Sequence, residues 1–300
     1  MDYHPDLASK PTEESPNLLC VRRAYELFRG NFNYFGLAFL MPVLFTYCVH
    51  LTADALARSI MRGAVHPSTL ISAKLAALGA IRWGGFGLVS VIFGLVTGGT
   101  SVAVRELRRG NGRPDFERAL ESPRAQLASI AGSALLQFFG FFLSVGVCVA
   151  LAAYIVFKLG LPVPLLRWIG WAALALCLSV FSRWMLSVSV IVEEGCGVLA
   201  SFRRSQKLTA DYTPAMLLFV AHATVAGYLA GKIPYYVFDL VAGRVALPAW
   251  SGWLPFALSF VFVAWTEPLY VIGCAETYYA AHERSESAIQ TTDVAKDCST

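Results

Sequence analysis

Charge is scarce in this 300-residue chain: 15% of its residues are Asp, Glu, Lys or Arg, against 56% apolar. A soluble globular domain carries about a quarter charged residues, so the composition argues against one. Cysteines are few and scattered. The seven (Cys20, Cys48, Cys148, Cys177, Cys196, Cys274, Cys298) contain no C-x-x-C pair, and several lie inside apolar runs. They read as small buried hydrophobes rather than a zinc or disulfide framework. The cations form no stripe of their own and the net charge is only +4, which excludes a nucleic-acid surface. "RRGNGRP" at 108–114 has neither a Walker lysine nor a preceding strand, so it is no phosphate loop. It reads as a turn whose arginines touch anionic lipid. No charged leader runs into a short apolar stretch, and no cleaved signal peptide is expected. No metal and no cofactor are expected.

What the chain has is uninterrupted apolar sequence, with a mean hydropathy of +0.57. Six runs stand out, at 33–55, 84–104, 127–157, 165–192, 214–233 and 252–276. Each reaches or approaches the roughly 20 residues that cross a bilayer as a helix. The runs are continuous, not alternating, which excludes a β-barrel pattern. Backbone groups in hydrocarbon must bond within their own segment, which makes the runs helices. The expected fold class is all-α integral membrane, with six transmembrane helices at 18–284 between polar tails at 1–17 and 285–300. The third run is long enough to bend near Gly140 or Gly146, or to project from the membrane. Of the 24 cations, 15 fall on the side of the termini, 8 on the other side and one, Arg183, inside a run. That split predicts cytoplasmic termini. Trp83, Trp168, Trp171, Trp250 and Trp253 cluster at the starts of the even-numbered runs, as interfacial anchors do.

A short amphipathic segment precedes each odd-numbered run. In "CVRRAYELFRGNF", Val21, Ala24, Leu27 and Phe28 share one helical face, opposite Arg22, Arg23, Glu26 and Arg29. In "VLASFRRSQKL", Val198, Leu199 and Phe202 oppose Arg203, Arg204 and Lys207. A weaker relative is "DFERALESPRAQ", interrupted by Pro123. Such helices lie in the headgroup plane. Leu27, Leu120 and Leu208 occupy matching positions, so the spacing predicts three repeats of one interfacial helix and two spans. Chance likeness among amphipathic lead-ins is the alternative. Arg22, Arg23, Arg203, Arg204 and Lys207 are the candidate lipid-headgroup contacts. Asp211 and Thr213 are candidate helix caps, with Pro214 in a first turn.

"RAYELFRGNF", Arg183 ahead of "VIVEEGCGVLASFRRSQKLTAD", and the closing "PLYVIGCAETYYAAHE" carry a resemblance. Over about 18–283 the chain resembles the integral membrane domain of some bacterial glycerophosphoryl diester phosphodiesterases and its stand-alone relatives. The catalytic domain is missing, with no His-Arg-Gly segment and no length for a barrel. The resemblance therefore implies a six-span protein tied to lipid or envelope physiology, not a phosphodiesterase.

Two charges inside the runs are the sharpest local signals. Arg183 lies in "SVFSRWMLSV" and Glu267 in "VAWTEPLYV". An arginine at a span centre costs about 3 kcal/mol on insertion scales, so it seeks a partner. Each precedes a glutamate at the inner end by nine or ten residues, placing both about 15 Å deep. The expectation is one ion pair, acting either as a packing clasp or as a site for an anionic headgroup or substrate. Pro268 is expected to bend the last span beside Glu267. Glu193 and Glu194 read as a helix end facing the cytosol rather than an acid–base pair, because no His or nucleophile is near in sequence. His50 and Asp54, spaced i,i+4, read as a hydrogen-bonded interfacial pair, not half a metal site. The small-residue stripe Gly94, Gly98, Gly99 predicts close helix packing. The functional expectation is a non-enzymatic membrane protein that handles lipid or supports the envelope. The alternative is a transporter of a small amphiphile or anion. Expected partners are membrane lipids and either another protein or a second copy, with no nucleic acid.

Overall fold

The computed structural model describes residues 15–62, 69–110, 114–160, 162–244 and 248–297. These residues contain helices and no strand. The helices are α1 (Pro16–Gly30), α2 (Phe32–Arg62), α3 (Thr69–Arg108), α4 (Phe116–Ala125), α5 (Leu127–Lys158) and α6 (Val163–Ser182). They continue with α7 (Ser187–Glu194), α8 (Val198–Leu208), α9 (Thr213–Ala242), α10 (Leu254–Thr266) and α11 (Pro268–Asp297). Six stretches are long and apolar enough to cross a membrane, with α6–α7 and α10–α11 each forming one interrupted span. The order short helix, span, span occurs three times, led by α1, α4 and α8. This is an all-α multi-pass membrane architecture.

The elements run further than hydropathy predicts. α3 begins at Thr69, well before the apolar run at 84. The intervening "SAKLAALGAIRW" is rich in strong helix formers, so the helix continues after the apolar signal has ended. α11 likewise passes through the expected tail at 285 and ends at Asp297, because "SESAIQTTDVAKD" contains no Gly or Pro to stop it. Residues 1–14 of the expected N-terminal tail lie outside the described residues. α5 keeps one helix through Gly140 and Gly146, and its 32 residues extend about 48 Å.

Caps set the short helices. Ser15 Oγ accepts the Leu18 N–H at 3.3 Å, with Pro16 opening α1, a favourable first-turn pair. Asp115 caps α4 by accepting from the Glu117 N–H at 3.0 Å. α9 departs from expectation. Neither Asp211 nor Thr213 caps it through its side chain. Instead Asn17 Oδ1 accepts the Ala215 N–H at 3.2 Å, while Asn17 Nδ2 donates to the Asp211 carbonyl at 3.1 Å. A side chain 198 residues away in sequence thus caps α9.

The spans close a ring in which α2 packs on α3, α3 on α5, α5 on α6, α6 on α9, α9 on α10 and α10 on α2. α11 and α7 pack on α3 inside one end of that ring, with α1 laid along α11 and α9. The largest core cluster sits at this end. It includes Phe35, Val104, Ile130, Ile191, Phe219 and Ile272, from six different helices. Outward, large apolar side chains are bare, including Leu143 at 70% and Trp168 at 72% exposure. A soluble protein would bury such a surface; hydrocarbon satisfies it.

The glycine stripe of α3 does what its spacing predicts. A β-carbon on Gly94 would meet Ile130 at 3.0 Å, on Gly98 Val192 at 3.0 Å, and on Gly99 Leu120 at 2.9 Å. α3 therefore approaches α5, α7 and α4 more closely than any larger residue would permit.

Candidate functional site

The end of the bundle where α3, α7, α8 and α11 meet holds a connected ionic network. Arg105 Nη1 donates to Glu193 Oε2 at 2.6 Å. The Tyr279 hydroxyl donates to Glu193 Oε1 at 2.8 Å and also lies 3.0 Å from the Ser101 carbonyl. One step along α3, Arg108 donates to Glu276 at 2.8 Å and to Glu283, and its guanidinium lies over the Tyr279 ring. On the far side Glu194 accepts from Arg204 Nε at 3.1 Å and from the Tyr278 hydroxyl at 3.3 Å. The Ser101 and Ser189 hydroxyls are 2.6 Å apart. Ser101–Ser189 and Arg105–Glu193 share a sequence separation of 88, which fixes α3 and α7 as parallel neighbours in one register.

Glu193 and Glu194 do end α7, as sequence suggested, but their carboxylates are tied into this network. The Glu193 side chain is 9% exposed and that of Glu276 only 2%. Arg108, expected to touch lipid from a turn, is 19% exposed and committed to two carboxylates. The signal that could have found this network is the row of three acids at one end of parallel spans, Glu193, Glu194 and Glu276, facing Arg105 and Arg108. Local sequence contains no information on that pairing.

Arg183 and Glu267 do not form an ion pair. Each sits where its span breaks. From α6 into α7 the backbone switches to i→i−3 bonding: Trp184 N–H to Phe181 at 2.9 Å and Ser187 N–H to Trp184 at 3.0 Å. The displaced Arg183 carbonyl accepts from Ser205 Oγ at 2.7 Å and Thr209 Oγ1 at 3.3 Å, both supplied by α8. The Arg183 side chain is exposed, with no hydrogen bond or ion pair among the described residues. Glu267 sits between α10 and Pro268, half-buried, where a β-carbon on Gly227 of α9 would lie 3.1 Å from its Oε1. Sequence placed both residues at similar depth, but they face different neighbours, the Arg183 carbonyl α8 and the Glu267 side chain Gly227 of α9. The break at Pro268 is as predicted, since proline cannot donate to the ladder.

The headgroup candidates divide. Arg203 and Lys207 are exposed on α8, Arg22 pairs with Glu26 at 3.7 Å on α1, and Arg23 is exposed beside it. Arg204 turns inward to Glu194. The buried face of α8 is Ser201, Phe202, Ser205 and Leu208, while Leu199 is 69% exposed. The expected apolar face is thus displaced, because small serines fit against α7 and their hydroxyls satisfy backbone. α8 folds back on α7 about Gly195, whose φ of 65° suits glycine. His50 and Asp54 also separate: Asp54 lies 3.7 Å from Arg82, and His50 packs edge-on against Phe86. Among the described residues no three His, Cys, Asp or Glu side chains group as metal ligands do.

Above the network, between α3, α5, α6 and α11, lies a cavity of about 360 Å³. Phe93, Phe138, Phe141, Phe181 and Met185 form much of its wall. The side chains of Ser90, Thr97 and Gln137 in its wall are already engaged. Ser90 and Thr97 donate to carbonyls of their own helix at 2.9 and 2.8 Å, and Gln137 donates to the Trp184 carbonyl at 3.2 Å and the Ser187 hydroxyl at 2.5 Å. The chamber therefore presents an apolar lining, suited to a hydrocarbon chain and poorly suited to a hydrated ion.

Comparison of the chain with family models, with curated proteins and with solved structures finds no match.

Proposed function

We propose that this chain is a non-enzymatic lipid-handling protein of a bacterial cytoplasmic membrane, with both termini in the cytoplasm. The observation that carries the reading is the apolar cavity between α3, α5, α6 and α11. It is large enough for a stretch of acyl chain, and the Ser90 and Thr97 hydroxyls and the Gln137 amide are spent on the protein itself. Orientation rests on the cation asymmetry. The sequence resemblance to membrane domains of glycerophosphoryl diester phosphodiesterases supports the same physiology.

A phospholipid carrying a diazirine in mid-chain, reconstituted with the full chain in nanodiscs, tests the proposal. Irradiation should label peptides of α3, α5 and α6 lining the cavity. Ser90→Phe, which fills the chamber and loses only a bond within its own helix, should abolish that labelling while leaving the melting curve in place. Labelling confined to the exposed outer faces, unchanged by Ser90→Phe, would sink the reading.

One observation favours a second reading, transport of a small amphiphile. The fourth and sixth spans are both broken, at Arg183 and Glu267, and interrupted spans in matching positions are a feature of transporters. Cysteines placed at 183 and 227 would then react with impermeant reagents from both sides of the membrane; reaction from one side only removes this reading.

A further inference from the structure

We propose that the recess beneath α1 binds a phosphoethanolamine-type group, a phosphodiester joined to a primary ammonium. The inference rests on the lipid-handling reading for the source of its ligand, but its geometry is separate from the apolar cavity.

Two polar recesses flank α1. One, of about 430 Å³, is lined by Arg23, Glu26, Leu27, Asn31, Arg108 and Glu276. The other, of about 280 Å³, has Cys20, Tyr212, Glu283 and Arg284 in its wall. Arg23 and Glu276 line both, so together they form the partition. Glu276 is the deepest acid of the molecule's ionic network. Its Oε2 takes the Arg108 guanidinium, but Oε1 is sealed from water with no hydrogen-bond partner among the described residues. A buried carboxylate oxygen without a donor carries an uncompensated desolvation cost. Arg23 is the complementary case, exposed and in no ion pair among the described residues. Arg108 is already committed to Glu276 and Glu283.

The larger recess is thus lined by a guanidinium in no ion pair among the described residues and, behind it, by a glutamate whose sealed Oε1 has no donor. Its two arginines balance its two glutamates, so a bare anion meets no net attraction and must approach Glu276. A bare cation meets Arg23. A zwitterion satisfies both. The planar guanidinium fork suits a phosphate. Glu276 Oε1 needs an N–H donor, which a primary ammonium has and a quaternary ammonium lacks. Choline groups are recognised by aromatic cages, and no ring lines this recess. Binding is an exchange: the phosphate draws Arg23 aside, and the ammonium replaces it beside Glu276. No covalent bond changes.

A lipid headgroup and a soluble glycerophosphodiester share this chemistry, and the test separates them. The full chain is reconstituted in nanodiscs of phosphatidylglycerol with equal minor amounts of phosphatidylethanolamine and phosphatidylcholine. Native mass spectrometry then counts retained lipids. Wild type should favour the ethanolamine lipid about tenfold, the worth of one charged hydrogen bond. Glu276→Gln, which turns an acceptor toward a donor, should bring the ratio to about one. Arg23→Ala, at an exposed position where folding is not at stake, should lower retention of both lipids together, because both carry the phosphate. Displacement of the lipid by glycerophosphoethanolamine, but not by glycerophosphocholine, assigns the site to the soluble group. Selectivity that resists both competitors assigns it to the lipid. Equal retention in wild type, a preference that survives Glu276→Gln, or retention unchanged by Arg23→Ala, overturns the proposal. If the preference is absent while the cavity still photolabels, only the headgroup assignment falls; if both are absent, the lipid reading falls with it.

Discussion

Removing Arg105 should cost far more than removing its partner Glu193, although the two share one 2.6 Å bond. The asymmetry comes from burial. The Glu193 side chain is 9% exposed and that of Arg105 is 32% exposed. Arg105→Met strands a carboxylate out of water with only the Tyr279 hydroxyl, 2.8 Å away, as donor. Stranding one partner of a buried pair costs about 3–5 kcal/mol, and the remaining Tyr279 bond favours about 3. Glu193→Gln leaves a cation that water already reaches, and the amide carbonyl still accepts from Tyr279, so the loss is about 1 kcal/mol. At about 2–4 °C per kcal/mol for a chain of this size, the shifts are roughly 6–12 °C and 2–4 °C. Tryptophan-fluorescence melts in one detergent at one scan rate would measure them. The double variant Arg105→Met/Glu193→Leu should be more stable than Arg105→Met alone, because no charge is stranded. Equal losses in the two single variants, or simple additivity in the double, would refute the reasoning.

Gly98→Val should destabilise by about 1–3 kcal/mol through overpacking against Val192 and Pro123, whereas Gly146→Ala, with no atom within 4 Å of its new methyl, should be neutral or stabilising by up to about 1 kcal/mol; melts of both variants check the contrast. Ser205→Ala and Thr209→Val should each cost about 1 kcal/mol by removing a donor from the Arg183 carbonyl, and hydrogen exchange should quicken at 184–187, not in α5. Cys20, buried and sharing a 3.2 Å contact with Thr277, has its thiol pushed up to about 11 by desolvation. It should therefore resist maleimide at pH 7.5 until the protein is unfolded. The sign of the linkage follows. The folded state holds this proton more tightly, so the contribution is full below the ordinary thiol value and declines as pH rises from there toward about 11. Cys20→Ser should flatten that part of a stability–pH curve; an unchanged curve would assign the decline to other groups.

The chemistry of the end where α1, α3, α7 and α11 meet was only half legible. The short basic helices stood out by periodicity, and Arg23 was marked as a headgroup contact from its place on α1. Its companion Glu276 was read only as a depth marker. What made Glu276 interesting is an oxygen left without a donor, and an orphan becomes visible only when every neighbour is in place. Arg183 and Glu267 show the reverse. Their rarity within apolar sequence drew a pair between them, yet each is accommodated separately, one at an exposed break and the other against a glycine.

By itself the sequence determined what depends on neighbours along the chain. The six spans, the threefold order of short helix and two spans, the α3 glycine stripe and the break at Pro268 all follow from hydropathy, periodicity and a missing N–H, properties that act within a few residues. Only the tertiary structure decided which charges meet. Arg105 finds Glu193 across 88 residues, Arg108 finds Glu276 across 168, and Asn17 caps α9 from 198 residues away. The α6–α7 break has no proline or glycine to announce it and is sustained by hydroxyls from α8. Charge pairing and carbonyl capture act over a few ångströms in space, and separation along the chain does not encode which groups will come that close.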